Sequence, residues 1–230
     1  MNRILHIPNF YAPNKGGIES ICQYIIENLP SFEHQVICFC RGAVRSILLV
    51  SKVPFERIRA VAADSSSRTS VALARIILAR RYGVDPDFLS HPPALEAMLE
   101  AADAALIIGD PALRIDPAAL PWRTLDLGAE WWELTGLPMV FAIWAARPGY
   151  GSPELAEAFL DSLRFGLERL EEIVAREAAS RGFEQSLVRD YFTRNVVLEL
   201  GEGERLGLER FLDYARQLGI LTRPLGHSRA

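Results

Sequence analysis

The stretch Asp64-Ser65-Ser66-Ser67-Arg68-Thr69-Ser70 lies between an apolar run, Ile58 to Ala63, and a segment in which Val71, Leu73, Ile76 and Ile77 recur at helical spacing before Arg80-Arg81. A short buried strand, a hydroxyl-rich turn and a helix with a basic last turn form a βα unit, which sets the chain in the α/β class. The serines then fall at a helix N-terminus, where the first backbone N–H groups lack partners within the helix and the dipole is positive. Ser66, Ser67, Thr69 and Ser70, with Arg68 beside them, make a site suited to a carboxylate or phosphate. Serine and threonine are also ordinary helix caps. From this stretch alone, an anion site and a capped helix with a surface arginine are both open.

The α/β pattern extends on both sides. Val44 to Val50 reads as a strand upstream; downstream come a strand near Phe88, a helix opened by His91-Pro92-Pro93 and running through Leu95, Met98 and Leu99, and a buried strand from Ala104 to Ile108. That strand ends in Gly109-Asp110-Pro111-Ala112-Leu113. Gly109 lets backbone approach a ligand closely, and Asp110 reads as a helix cap, as an acceptor for a substrate hydroxyl, or as both. Asp126-Leu127-Gly128 precedes a short helix with Trp131, Trp132 and Leu134, closed by Gly136, and Pro138 to Ala145 is another buried strand. The tryptophans read as core or lobe-interface residues. Ser152-Pro153-Glu154 starts a long helix with the apolar stripe Leu155, Phe159, Leu163, Leu167, Leu170 and Val174, which Arg181-Gly182 ends. Helices around Leu187 to Phe192 and Leu206 to Leu218 follow.

The first 40 residues differ in composition from the rest. They hold all three cysteines (Cys22, Cys38, Cys40), four of the five asparagines and seven isoleucines, but one alanine and one arginine, whereas alanine and arginine abound after Arg41. They read as a βαβ unit: a strand at Ile4 to Ile7, a Gly16-Gly17 loop, a helix from Ile18 to Leu29 and a strand from His34 to Phe39. The spaced glycines of the dinucleotide fingerprint are missing. Phe10-Tyr11-Ala12-Pro13-Asn14-Lys15-Gly16-Gly17-Ile18-Glu19 resembles the start of family-4-type GT-B glycosyltransferases, in which the Gly-Gly loop approaches the sugar donor and acceptor. No second nucleotide-binding domain or pair of spaced glutamates accompanies it. Three parts are expected: residues 1–40, an α/β substrate-binding lobe at 41–148, and a helical part at 149–230 that completes the lobe.

A formal charge of -4 and a pI near 5.7, without interleaved basic and aromatic residues, argue against nucleic acid as a partner. No apolar run reaches the roughly 18 residues that span a bilayer, and no leader pattern stands at the N-terminus. A cytoplasmic protein with no membrane partner is expected. The cysteines form neither a disulfide framework nor a metal-ligand spacing and read as reduced and structural.

Taken together, Arg41-Gly42-Ala43-Val44-Arg45-Ser46-Ile47-Leu48-Leu49, the Asp64 to Ser70 stretch, His91-Pro92-Pro93, Ile108 to Leu113, Asp126-Leu127-Gly128 and Trp131 through Pro138 resemble the chorismate dehydratases of the futalosine route to menaquinone, from about Arg41 to Leu218. The resemblance implies a type-2 periplasmic-binding-protein-like fold and a lyase that removes water from chorismate to give 3-[(1-carboxyvinyl)oxy]benzoate, with no metal or organic cofactor. It implies catalytic roles for Ser46, on the ring side of the substrate, and for Asn9, standing for the family's substrate-contacting loop asparagine. Ser66, Ser67, Arg68, Thr69 and Ser70 would hold a carboxylate, and Gly109 and Asp110 would form the opposite wall. The family has a longer segment before this region than the 40 residues present here. A carboxylate-binding module without turnover, an inactive hybrid of two sequence backgrounds and a truncated glycosyltransferase are the alternatives.

Overall fold

Ile47-Leu48-Leu49-Val50 is apolar at every position because the strand it forms is covered on both faces. The computed structural model describes residues 36–39, 42–64, 68–143, 152–198 and 201–221. Its elements are β1 (Val36–Phe39), β2 (Ile47–Ser51), β3 (Ala60–Asp64), α1 (Arg68–Arg81), β4 (Asp87–His91), α2 (Leu95–Ala101), β5 (Ala104–Ile108), α3 (Asp110–Leu113), β6 (Arg123–Asp126) and α4 (Leu127–Thr135). There follow β7 (Met139–Ile143), α5 (Pro153–Glu168), α6 (Leu170–Arg181), α7 (Gln185–Asp190), a π-helical turn (Tyr191–Asn195), β8 (Val196–Val197) and α8 (Glu202–Gln217).

Five strands form a mixed sheet in the order β4-β3-β5-β2-β6, with β3 parallel to β4 and β5, and β2 antiparallel to β5 and β6. Ile47 and Leu49 of β2, Val61 and Ala63 of β3, and Ala104 and Leu106 of β5 face one core with Leu73, Ile76 and Ile77 of α1, Trp131 of α4 and Phe211 and Leu212 of α8. The alternate residues Leu48, Val50, Ala62, Ala105 and Ile107 face a second core with Leu95, Met98 and Leu99 of α2. Two-sided burial accounts for continuous apolar runs where a half-exposed strand would alternate. Trp131 is fully buried, its ring edge-on to Phe211 and Tyr214 with centroids 6.1 Å from each, as a core residue should be.

A second sheet, β7-β1-β8, is antiparallel and gathers strands from three distant parts of the chain. Its central strand, β1, is the end of the expected His34 to Phe39 strand; the remainder of the N-terminal βαβ reading lies outside the described residues. No helix among the described residues is long and apolar enough to cross a membrane.

Several element bounds differ from expectation. The strand expected from Val44 begins at Ile47, because the Asp126 carboxylate takes the backbone N–H groups of Val44 and Arg45 at 3.0 and 2.6 Å and Arg45 turns to a φ of 60°. Pro92 and Pro93 precede α2, whose cap position is Ala94, instead of lying in its first turn. The long helix from Pro153 breaks at Arg169, which leaves helical geometry at φ -115° and ψ 25°. Its leucines recur every four residues, an interval that advances about 40° around a 3.6-residue helix. By Leu167, half exposed, the stripe has rotated out of contact, and α6 restores burial at Val174.

Candidate functional site

In open α/β sheets, ligands bind outside the carboxyl ends of the parallel strands, where successive connections leave in opposite directions. Here β3 leads through α1 to β4 on one side of it, and β4 leads through α2 to β5 on the other. The carboxyl ends of β3, β4 and β5 therefore face one edge, with Asp64 in register with His91. Arg68, Thr69 and Ser70 open α1 at that edge: Arg68 is exposed, Thr69 half-buried and Ser70 buried. Ser66 and Ser67 lie outside the described residues, as does Asn9.

Ser46 and Gly109 meet at the same edge. The Gly109 N–H donates to the Ser46 carbonyl at 2.8 Å, extending the β2–β5 ladder that starts at Ile47 and Ile108, and the Ser46 N–H donates back to the Val44 carbonyl at 2.7 Å. Gly109 sits at φ 67° and ψ -144°, a region essentially confined to glycine. This bend turns the chain from β5 into α3. Asp110 is consequently the first residue of α3, not its cap, and its carboxylate accepts from Arg181 Nη1 at 2.8 Å. That ion pair holds the Arg181 guanidinium above its ordinary pKa, with Glu177 adding to the effect. Arg114 donates to the Arg181 carbonyl and lies over the Phe183 ring, so the end of α6 is fastened to the turn that carries Asp110.

Two further groups fix the turn before Ser46. Asp126 caps α4 by accepting from the Gly128 and Ala129 N–H groups, both at 3.0 Å, while also holding Val44 and Arg45. From the other side, the π-helical turn supplies Asn195, whose Nδ2 donates to the Ala43 carbonyl at 2.7 Å, and Tyr191, whose phenol donates to Ser46 Oγ at 3.3 Å. Ser46 is only 2% exposed. Burial raises the Tyr191 pKa, with Asp110 adding to it and the Ser46 contact opposing it. Among the described residues, no cluster of three His, Cys, Asp or Glu side chains is placed to hold a metal ion.

The structure thus brings Ser46, Gly109 and Asp110 into one hydrogen-bonded corner and sets Arg68, Thr69 and Ser70 along the same sheet edge. Tyr191, Asn195 and Arg181 were not singled out from the sequence as site residues. Their one sequence signal is that Tyr191 and Asn195 stand four apart at the end of a helical stretch, a spacing that puts both on one face.

A family model described as menaquinone biosynthesis matches residues 34–217. The chain is 34% identical over 213 residues to the chorismate dehydratase of Thermus thermophilus, an alignment covering 86% of this chain and 75% of that protein. Several solved structures share the fold, among them two that illustrate it. One is protein AF1704 from Archaeoglobus fulgidus, with a TM-score of 0.57 and 20% identity over 88% of this chain and 84% of that one. The other is the periplasmic aliphatic sulphonate binding protein SsuA from Escherichia coli, with a TM-score of 0.52 and 16% identity over 86% and 73%. The expected periplasmic-binding-protein-like architecture is thereby shown, while the glycosyltransferase likeness of the first 40 residues finds no support. With a matching region that contains the whole Ser46–Gly109–Tyr191 corner, the chain belongs to the menaquinone-biosynthesis family, with a chorismate dehydratase among its relatives.

Proposed function

We propose that this chain is a hydro-lyase that removes water from chorismate to give 3-[(1-carboxyvinyl)oxy]benzoate, acting in the cytoplasm in menaquinone biosynthesis. The observation that carries the reading is the 34% identity to the Thermus thermophilus chorismate dehydratase over 86% of the chain. The chemistry of the edge agrees with it. Chorismate has two carboxylates, and the start of α1 with Arg68, Thr69 and Ser70 offers backbone N–H groups and a guanidinium to one of them. Loss of a ring hydrogen and the hydroxyl aromatises the ring, so the reaction has a strong intrinsic drive and asks the protein mainly for placement and electrostatics. Ser46 supplies a hydroxyl sealed from bulk water, and Gly109 with Asp110, bonded into the same corner, lines the wall beside it and not the opposite one expected from the sequence. Asn9, Ser66 and Ser67 are proposed substrate contacts on the family resemblance alone.

A second reading, a carboxylate-binding module without turnover, is favoured by the burial of Ser46 beneath Tyr191, since a sealed hydroxyl can shape a binding wall without reaching the ring. Incubation of the purified chain with chorismate, followed by ultraviolet absorbance and mass spectrometry, separates the two. Aromatic product that vanishes in Ser46→Ala and falls in Arg68→Ala supports the lyase. A chorismate-dependent rise in melting temperature without product supports the module.

A further inference from the structure

We propose that Tyr191 is a positioning residue for Ser46: its phenol, delivered by the π-helical turn, fixes the direction of the Ser46 hydroxyl toward the ligand. The inference rests on the reading that Ser46 faces the substrate. A serine hydroxyl has one proton to donate and two lone pairs to accept with, and its proton rotates freely unless a partner fixes it. The Tyr191 phenol, donating to Ser46 Oγ at 3.3 Å, occupies a lone pair and turns the serine's own proton away from Tyr191. The Ser46 main chain is held on both sides. Its N–H is held by the Val44 carbonyl at 2.7 Å, its carbonyl by the Gly109 N–H at 2.8 Å, and its side chain is buried. With the backbone held and the side chain buried, the phenol contact bears on the Oγ itself and restricts the rotation of its proton.

Tyr191 is itself well anchored. Its ring packs edge-on against Phe192 at 6.1 Å, and Asn195, at the other end of the same π-helical turn, is tied to the Ala43 carbonyl at 2.7 Å. The turn is thus joined at both ends to the segment 43–46, and β8 follows it at once to hold it in the second sheet. Single π-helical turns are uncommon inside α-helical stretches and concentrate at functional sites, where the wider turn re-aims side chains. The wider turn of this structure aims a phenol at the serine that the proposed function sets against the substrate. In a buried, low-dielectric corner such a hydrogen bond is stronger than at a surface, and its loss is felt in the geometry of the bond the serine makes next.

The test is a double-variant cycle on the full chain, with steady-state kinetics on chorismate and melting temperatures for the wild type, Tyr191→Phe, Ser46→Ala and the double variant. Phenylalanine keeps the ring packing, so the melting temperature of Tyr191→Phe should stay close to that of the wild type. Loss of one orienting hydrogen bond should lower kcat about tenfold with KM within about twofold, and the double variant should be no slower than Ser46→Ala alone. Multiplying losses in the double variant, or an unchanged kcat in Tyr191→Phe, would overturn the positioning role and leave the lyase reading standing. Absence of product from the wild type would sink the lyase reading instead, and the role of Tyr191 is then judged on binding. A chorismate-induced melting shift diminished alike in Ser46→Ala and Tyr191→Phe supports it; a full shift in Tyr191→Phe, or none in the wild type, overturns it.

Discussion

Asp126 shows how one side chain can decide both a fold detail and a site. Its two oxygens accept four backbone N–H groups, from Val44, Arg45, Gly128 and Ala129, so the same carboxylate caps α4 and shapes the turn that presents Ser46. Removing a cap alone costs about 0.5–2 kcal/mol, and releasing the part-buried Val44 donor and the exposed Arg45 donor adds to that. Asp126→Ala should therefore lower stability by about 2–4 kcal/mol in urea unfolding, while Asp126→Asn, which keeps an acceptor oxygen, should cost less than half as much. A loss confined to the range of a simple cap would show that the turn before Ser46 holds without Asp126. Gly109 makes a second demand at this scale. An added methyl group at Gly109 meets open space, so the cost of Gly109→Ala is conformational: a side chain forced to φ 67°, ψ -144° costs about 1–3 kcal/mol. If the chain relaxes there instead, the Ser46–Gly109 bond goes with it, and chorismate turnover should fall further than stability does. Of this corner the sequence made Ser46, Gly109 and Asp110 legible, because each stands in a short motif beside a strand end. Tyr191 was hidden: a tyrosine in an ordinary helical stretch signals nothing until a π-helical turn and 145 positions of chain bring it to Ser46.

Elements were legible where the local signal is also the tertiary one. The serine-rich turn between Ile58 and Val71 gave β3 and α1, with Arg80 and Arg81 in the last turn of α1 as expected. Gly136 and Gly182 end α4 and α6 in left-handed geometry, which is what a glycine after a helical run announces. The break at Arg169 was not legible, since helix-forming residues continue across it and only the slow rotation of the leucine stripe betrays the change of partner. The contact between α1 and α4 supplies a prediction at this scale. The Tyr82 phenol donates to Glu130 Oε2 at 3.1 Å, and Arg81 Nη1 lies 2.9 Å from the same oxygen. Burial first, then the Glu130 charge and hydrogen bond, push the Tyr82 phenol from 10.0 up to about 12. The folded chain thus keeps this proton where the unfolded chain has lost it. The associated stability is full below pH 10 and declines as the pH rises from there through about 12. Urea midpoints measured across that window should fall less steeply for Tyr82→Phe than for the wild type; equal slopes would mean that Tyr82 ionises as freely in the folded chain as in the unfolded one. At the other face of the core, α8 approaches β7 so closely that a Cβ on Gly207 would lie 1.9 Å from the Pro138 carbonyl oxygen. Gly207→Ala should cost about 1–3 kcal/mol or more by forcing α8 off the backbone ahead of β7, read as a lower melting temperature.

At the scale of the whole molecule, the small sheet β7-β1-β8 matters more than its size suggests. The five-stranded sheet is built from residues 47–126, a nearly local arrangement, whereas the small sheet draws on residues 36–39, 139–143 and 196–197. Its central strand comes from the end of the stretch whose composition differs most from the rest of the chain, and it pairs with both neighbours: Cys38 with Val140 and Val197, Phe39 with Met139 and Val196. β8 follows Asn195 directly, so β1 is what holds the end of the π-helical turn, and through it Tyr191, against the turn carrying Ser46. A proline at position 38 tests this chain of dependence, because it removes a donor from a strand paired on both sides and disturbs the pairing register. Cys38→Pro should cost about 3 kcal/mol or more in unfolding experiments. Among molecules that remain folded, hydrogen exchange should rise first in Tyr191–Val197 and only later in β2, β3 and β5, since the large sheet keeps its own two cores. Chorismate turnover should fall to the level of Tyr191→Phe, because a folded five-stranded sheet would then carry a Ser46 whose hydroxyl has lost its partner. If turnover in Cys38→Pro instead matches the wild type while β8 exchanges freely, the small sheet supports the fold alone and the link from β1 to the site is absent.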